Sequence, residues 1–217
     1  MLRSPLFWLF VIIAVVVLGG SWWALTPPAG ETELQNAQEA LKSVKSWRFA
    51  VVPDEESSFS EEGAWEVDCA RGWHGKVRHS SSFSQSSYRR DYEYAQLNGS
   101  LYMREGDSDW NAAESEYMME SSPFANCSSL EKGTQQYPFP NLSQLVSSAV
   151  ITPREKKTVS GMKCRVWHVQ VMKLLHQREF DLCLGTRDHL PYEISGEGEQ
   201  HIVFSDYNQP MEIRGPH

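Results

Sequence analysis

Histidine, cysteine and serine are the residue types in this chain that could do chemistry. There are seven histidines. His74 and His79 lie close in sequence, as do His168 and His176, but neither pair has a third ligand at zinc-like spacing. No metal and no cofactor is expected. The serine runs at 57–60 and 80–87, together with His201 and Asp206, lack a G-x-S-x-G elbow or any comparable activating context. Asp206 reads instead as a turn residue in Ser205-Asp206-Tyr207-Asn208. No catalytic residue is expected, so the chain reads as a non-enzyme. The four cysteines, Cys69, Cys127, Cys164 and Cys183, match no zinc spacing. An even count in an exported chain reads as two disulfides, with three possible pairings.

Export follows from the N-terminus. Leu6 to Leu25 carries no charge. A helix of that length spans about 30 Å, the hydrocarbon thickness of a bilayer. Arg3 ahead of it predicts an N-terminus inside and the remainder outside. Residues 1–26 therefore read as a signal-anchor, a single transmembrane helix. Trp22 and Trp23 would sit at the outer interface. A cleaved signal peptide is the alternative, because the strongest apolar run is only Leu6 to Leu18. Gly19-Gly20-Ser21 makes a poor cleavage site with two tryptophans after it. Either way the chain from residue 27 on is placed in a periplasm or extracellular space.

The chain has 217 residues, a formal charge of -8 and 12% aromatic residues. One domain plus a short appendage is the default for this length. A mean hydropathy of -0.46 excludes a multi-span membrane protein. The acidic balance, with no long basic block, excludes a nucleic-acid partner.

The elements that must position any site follow residue 30. Residues 27–30 read as a linker and 31–217 as the exported domain. Glu31 to Ser46 reads as a helix with Thr32 as N-cap, since Leu34, Ala37, Leu41 and Val44 form one stripe. Strands are expected at 47–52, 64–69 and 73–79 from period-two alternation. Residues 54–62 and 80–87 read as loops, the latter mobile. Asn98-Gly99 predicts a type I′ hairpin between strands at 88–96 and 101–105. Asn141 to Ala149 reads as a short helix.

From Thr158 on the pattern is strand after strand. Val159 to Met172 and Leu175 to Leu184 form an expected hairpin. Placing Cys164 opposite Cys183 puts Trp167 opposite Phe180 and His168 opposite Glu179. That register satisfies the turn and the apolar face, and it favours a Cys164–Cys183 disulfide. Cys69–Cys127 follows by elimination. Strands at 190–195 and 201–204 continue the meander, and Met211-Glu212-Ile213 is expected to close it. The expected fold is α+β, with roughly eight to ten antiparallel strands and helices against one face of a curved sheet.

The C-terminal third carries a family pattern. It runs Val159-Ser160-Gly161-Met162-Lys163-Cys164-Arg165-Val166-Trp167, then Asp188-His189-Leu190-Pro191-Tyr192-Glu193-Ile194. It ends in Phe204-Ser205-Asp206-Tyr207-Asn208-Gln209-Pro210-Met211-Glu212-Ile213. With the helix leading into Trp47, and Asn98-Gly99-Ser100-Leu101-Tyr102 before Trp110, this order resembles the LolA/LppX-like superfamily of exported lipoprotein and lipid carriers. The resemblance spans about residues 31–214. It implies an open antiparallel half-barrel whose concave face is covered by helices and holds acyl chains.

The candidate lining residues are Phe49, Val51, Trp65, Val67, Tyr92, Tyr94, Leu101, Met103, Trp167 and Phe180 on strands. Leu142 and Leu145, with Val146, belong to a candidate lid helix. Inward aromatic residues on strands also serve as plain core. The expected function is a membrane-anchored, non-catalytic domain of the cell envelope that binds a lipid or lipoprotein acyl chain. The alternative is a sensor or scaffold ectodomain with a filled core that binds an envelope protein.

Overall fold

The computed structural model describes residues 29–53, 59–83, 86–112, 127, 138–173, 176–196 and 200–216. The expected membrane-spanning segment, residues 1–26, lies outside the described residues. Among the described residues no helix is long and apolar enough to cross a membrane.

The chain begins with α1 (Ala29–Lys42), which buries Leu34, Ala37 and Leu41. Thr32 falls inside its first turn, so it is not the expected N-cap. The helix also stops at Lys42 rather than Ser46, because Ser46 already belongs to a strand. Five hairpin-linked strands follow: β1 (Ser46–Val52), β2 (Phe59–Asp68), β3 (Gly72–Phe83), β4 (Ser86–Leu97) and β5 (Ser100–Glu105). The short β6 (Asn111–Ala112) ends this arm. After α2 (Leu142–Ser148) come β7 (Ala149–Val159), β8 (Met162–Lys173), β9 (His176–Gly185), β10 (Pro191–Ser195) and β11 (His201–Ser205).

All pairings are antiparallel, in the order β6-β5-β4-β3-β2-β1-β11-β10-β9-β8-β7. The ends of this order, β6 and β7, do not pair, so the sheet is open. Two helices against a large open antiparallel sheet make an α+β fold, consistent with the expected half-barrel.

Residue-level differences from the sequence reading have physical causes. The serine-rich stretch 80–87 is not a loop over its described part, since Ser80–Phe83 and Ser86–Ser87 extend the β3–β4 hairpin. The Ser60 and Ser80 hydroxyls bond each other at 2.7 Å across β2 and β3. Asn98 and Gly99 both take positive φ, 51° and 82°, as a type I′ turn requires. Val159 to Met172 is not one strand. Ser160 and Gly161, also at positive φ, turn the chain and create β7.

In the β8–β9 hairpin Trp167 pairs with Leu182 and His168 with Asp181. The expected register is therefore off by two residues. A slip of two keeps every side chain on its face. It makes Cys164 and Cys183 diagonal neighbours rather than direct opposites, still with Cα atoms 5.5 Å apart and bonded. Cys69–Cys127 is the second disulfide. Met211–Ile213 forms no strand. Met211 is buried, and its carbonyl accepts from Arg71 Nη1 at 3.0 Å.

Candidate functional site

Opposed residues in antiparallel strands share a face, so register carries face identity across the sheet. On one face lie Trp47, Phe49 and Val51 of β1. Next to them come Val67, Trp65 and Gly63, then Trp73, Gly75 and Val77, then Gln96, Tyr94 and Tyr92. Leu101 and Met103 continue the rows into β5. In the other direction the same face carries Phe204 and Ile202, Ile194, Leu182 and Phe180, and Trp167 and Val169. The ten strand residues expected to line a site thus project from one face.

Helix α2 brings Leu142 and Leu145, both buried, to that side. Asn141 caps α2, its side-chain oxygen accepting from Gln144 N at 3.1 Å. The helices pack chiefly against each other and over β7 and β8. The apolar floor runs on beyond them to β5.

Aromatic contacts organise this floor. Phe49 stacks on Trp65 with centroids 4.7 Å apart and planes 4° apart. Phe139 stacks on Phe204 at 4.8 Å and leans on Trp47 at 5.4 Å. Trp65 lies flat on the sheet because its neighbours across β2 and β3 are glycines. A Cβ at Gly63 or Gly75 would meet the indole at 2.3 Å. Towards the β5 side the lining is only half-buried: Tyr92, Tyr94 and Met103. Tyr92 and Tyr94 stack at 6.1 Å. Burial, with the neighbouring Tyr92 and Glu61, pushes the Tyr94 hydroxyl up to about 12.

Among the described residues, two buried side-chain donors on this face are unpaired. The indole N–H groups of Trp47 and Trp167 are buried without an acceptor. Neither was recognised from the sequence as a donor, nor were Gly63 and Gly75 as the cradle of Trp65. An isolated glycine within a strand pattern, which marks close approach, was the available signal.

The opposite face is polar. Glu93 accepts from His74 Nε2 at 2.6 Å, with its other oxygen held by Arg104 Nε at 2.6 Å. Arg78 bridges Asp91 and Glu62, and Arg48 bridges Glu66 and Asp206. His168 pairs with Asp181 and His201 with Glu193. Burial alone would raise the Glu93 carboxyl. The hydrogen bonds from His74 and Arg104, with the charges of His74 and Lys76, outweigh it and hold Glu93 below the usual range. Two cavities of about 560 and 660 Å³ open mainly on this face. They share Ala50, Ala64 and Lys76. The C-terminal residues Glu212 and Arg214 form part of the first one's wall.

No family model and no curated protein sequence matches the chain. Among solved structures it is similar to LprF from Mycobacterium bovis, with a TM-score of 0.60 at 13% identity. That match covers 87% of this chain and 97% of LprF. A second likeness, to the Pseudomonas aeruginosa MucA/MucB complex, has a TM-score of 0.42 at 17% identity. It covers 85% of this chain and 59% of the other. The fold is LolA/LppX-like, as the motifs of the C-terminal third indicate.

Proposed function

We propose that this is a non-catalytic binding domain of the cell envelope that holds an acyl chain, of a lipid or lipoprotein, on the helix-side face of its sheet. Residues 1–26 would tether it to the membrane. The observation that carries this reading is the continuous apolar face. Ten strand residues from β1 to β9 share it, and the helices lie mainly over its β7–β8 side. A carrier needs such an apolar surface with few polar groups. The floor from Trp65 to Met103 would receive the chain, and α2, through Leu142 and Leu145, would act as its cover.

Native mass spectrometry of the full chain purified from a membrane fraction tests this. Co-purifying acyl species and uptake of a fluorescent lipid are expected. A chain that is always empty and takes up no lipid would sink the reading.

The outer face supports a second reading, a scaffold or sensor ectodomain. Its ion-pair rows and two cavities offer a polar docking surface for an envelope protein. Crosslinking in cells separates the two. A partner captured through Lys76, in a protein that takes up no lipid, would favour docking.

A further inference from the structure

A tether at residues 1–26 leaves the domain little freedom of position. Helix α1 begins at Ala29. Its second residue, Gly30, lies against Ile151 of β7, so closely that a Cβ there would meet Ile151 Cγ2 at 2.7 Å. Only Pro27 and Pro28 separate the proposed anchor from this helix. From Thr26 to Gly30 the chain reaches about 14 Å at most, at roughly 3.6 Å per residue. With Trp22 and Trp23 at the outer interface, Ile151 stands within that reach of the headgroups. The strand it belongs to, β7, is one end of the sheet.

Charge is divided between the two ends of the sheet. The β7–β8 hairpin, residues 149–173, holds six basic residues, Arg154, Lys156, Lys157, Lys163, Arg165 and Lys173, and one acidic residue, Glu155. The β1–β6 arm, residues 46–112, holds seven basic and twelve acidic residues. Balances of +5 and -5 thus occupy opposite ends of the strand order. Neighbouring carboxylates reduce the basic balance. Asp181 holds Arg154 and Glu193 holds Lys157, while Glu155 and Glu31 of α1 have no ion pair among the described residues. Set against six cations, these four leave the edge positive.

The same edge exposes apolar side chains. Val150 of β7 is 56% exposed and Met162, at the start of β8, is 41% exposed. Val150 adjoins Ile151 near one end of β7, and Met162 lies at the other. The cations of β7 fall between them. Exposed cations beside apolar side chains make up a surface that lies on a membrane interface.

We infer that the β7 edge of the sheet docks on an anionic lipid bilayer, the one its tether spans. Lys156, Lys163 and Arg165 lie among the headgroups, and Val150 and Met162 dip between them. The acidic β1–β6 arm points away. The contact is surface to surface and needs no pocket. It also covers an edge strand that would otherwise offer its backbone to another chain. This inference rests on the tether reading above and goes beyond the acyl-chain reading.

The test reconstitutes the full chain into vesicles of phosphatidylcholine, alone or mixed equally with phosphatidylglycerol. A membrane-impermeant acylating reagent then modifies exposed amines, and peptide mass spectrometry reads each lysine. Rates are taken relative to Lys76, whose side chain is 65% exposed on β3. Each cation near an anionic surface adds roughly fivefold to the docked population. Lys156 and Lys163 are expected to react at least about fivefold more slowly when phosphatidylglycerol is present. High salt should restore the phosphatidylcholine rate. Lys156→Glu should restore the rate at Lys163, which stays as the reporter in that variant.

Equal rates in the two vesicles would overturn the inference and leave the tether standing. A chain that floats with neither vesicle would overturn both. Slower reaction at Lys76 than at Lys156 in phosphatidylglycerol would put another face on the bilayer and overturn the assignment of the edge.

Discussion

Single atoms decide two features of the sheet. Trp65 can lie flat only over hydrogen, because any Cβ at Gly63 or Gly75 enters the indole. Gly75→Ala should therefore lift Trp65 off the sheet and disturb its stack on Phe49. Overpacking of this kind costs about 1–3 kcal/mol. Urea unfolding followed by tryptophan fluorescence reads both the cost and the altered indole environment. A parent-like midpoint and spectrum would show that the cradle is not needed.

On the outer face, Glu93 titrates in the opposite sense to an isolated buried acid. Its folded value lies below the ordinary 4.5. The stability it contributes is thus present above that value and is lost as pH falls through the lower, folded one. In Glu93→Gln the decline of stability in acid should be shallower than in the parent. Parallel curves of unfolding midpoint against pH would contradict this.

At the scale of elements, the two disulfides act differently. Cys164–Cys183 staples the diagonal of one hairpin, across a sequence separation of 19. A loop of this size corresponds to about 3 kcal/mol of lost unfolded-state freedom. Cys164→Ala/Cys183→Ala should lower the denaturant midpoint accordingly, with the hairpin register unchanged in amide exchange. Helix α2 depends on its cap, and Asn141→Ala should cost about 1 kcal/mol. If α2 covers a bound chain, that variant should also release lipid faster, read as the off-rate of a fluorescent probe.

Strand β7 shows why some elements were not legible. Its sequence, AVITPREKKTV, holds Pro153 and a run of charges because the strand lies at an open edge and is mostly exposed. No alternation survives where one flank has no strand and most side chains meet water. The serines of β3 fail for a related reason: backbone pairing on both sides holds them in the sheet without apolar side chains to announce it.

For the whole molecule, period-two alternation made the lining face readable. Phe49 and Val51, and likewise Trp65 and Val67, alternate so plainly that the face each pair shares follows from spacing alone, and register joins the two pairs. Even the register error in β8–β9 left Trp167 and Phe180 on the correct side, since a slip of two preserves parity. The opposition of Arg165 and Lys156 was not readable. It depends on one extra residue at the Pro153 bulge, and an alternation pattern does not reveal such an insertion. The twelve lining candidates are thus a legible surface, whereas the pairing beyond the β7 bulge is a product of tertiary register.

The centre of the sheet is the seam between β1 and β11, the first and last strands of the chain. A chain threaded across a membrane from its N-terminus delivers β1 early and β11 last. The β1–β6 arm can zip up from local hairpins, as can β7–β10, but each then waits with a raw margin. In β1 that margin is bordered by Phe49 and Val51. In a chain exported as proposed above, that margin would stay open for at least the time needed to synthesise about 150 residues at roughly 5–20 per second. Deleting β11 would make that interval permanent. The expected product is two sticky half-sheets that co-sediment with chaperones instead of a weakened monomer.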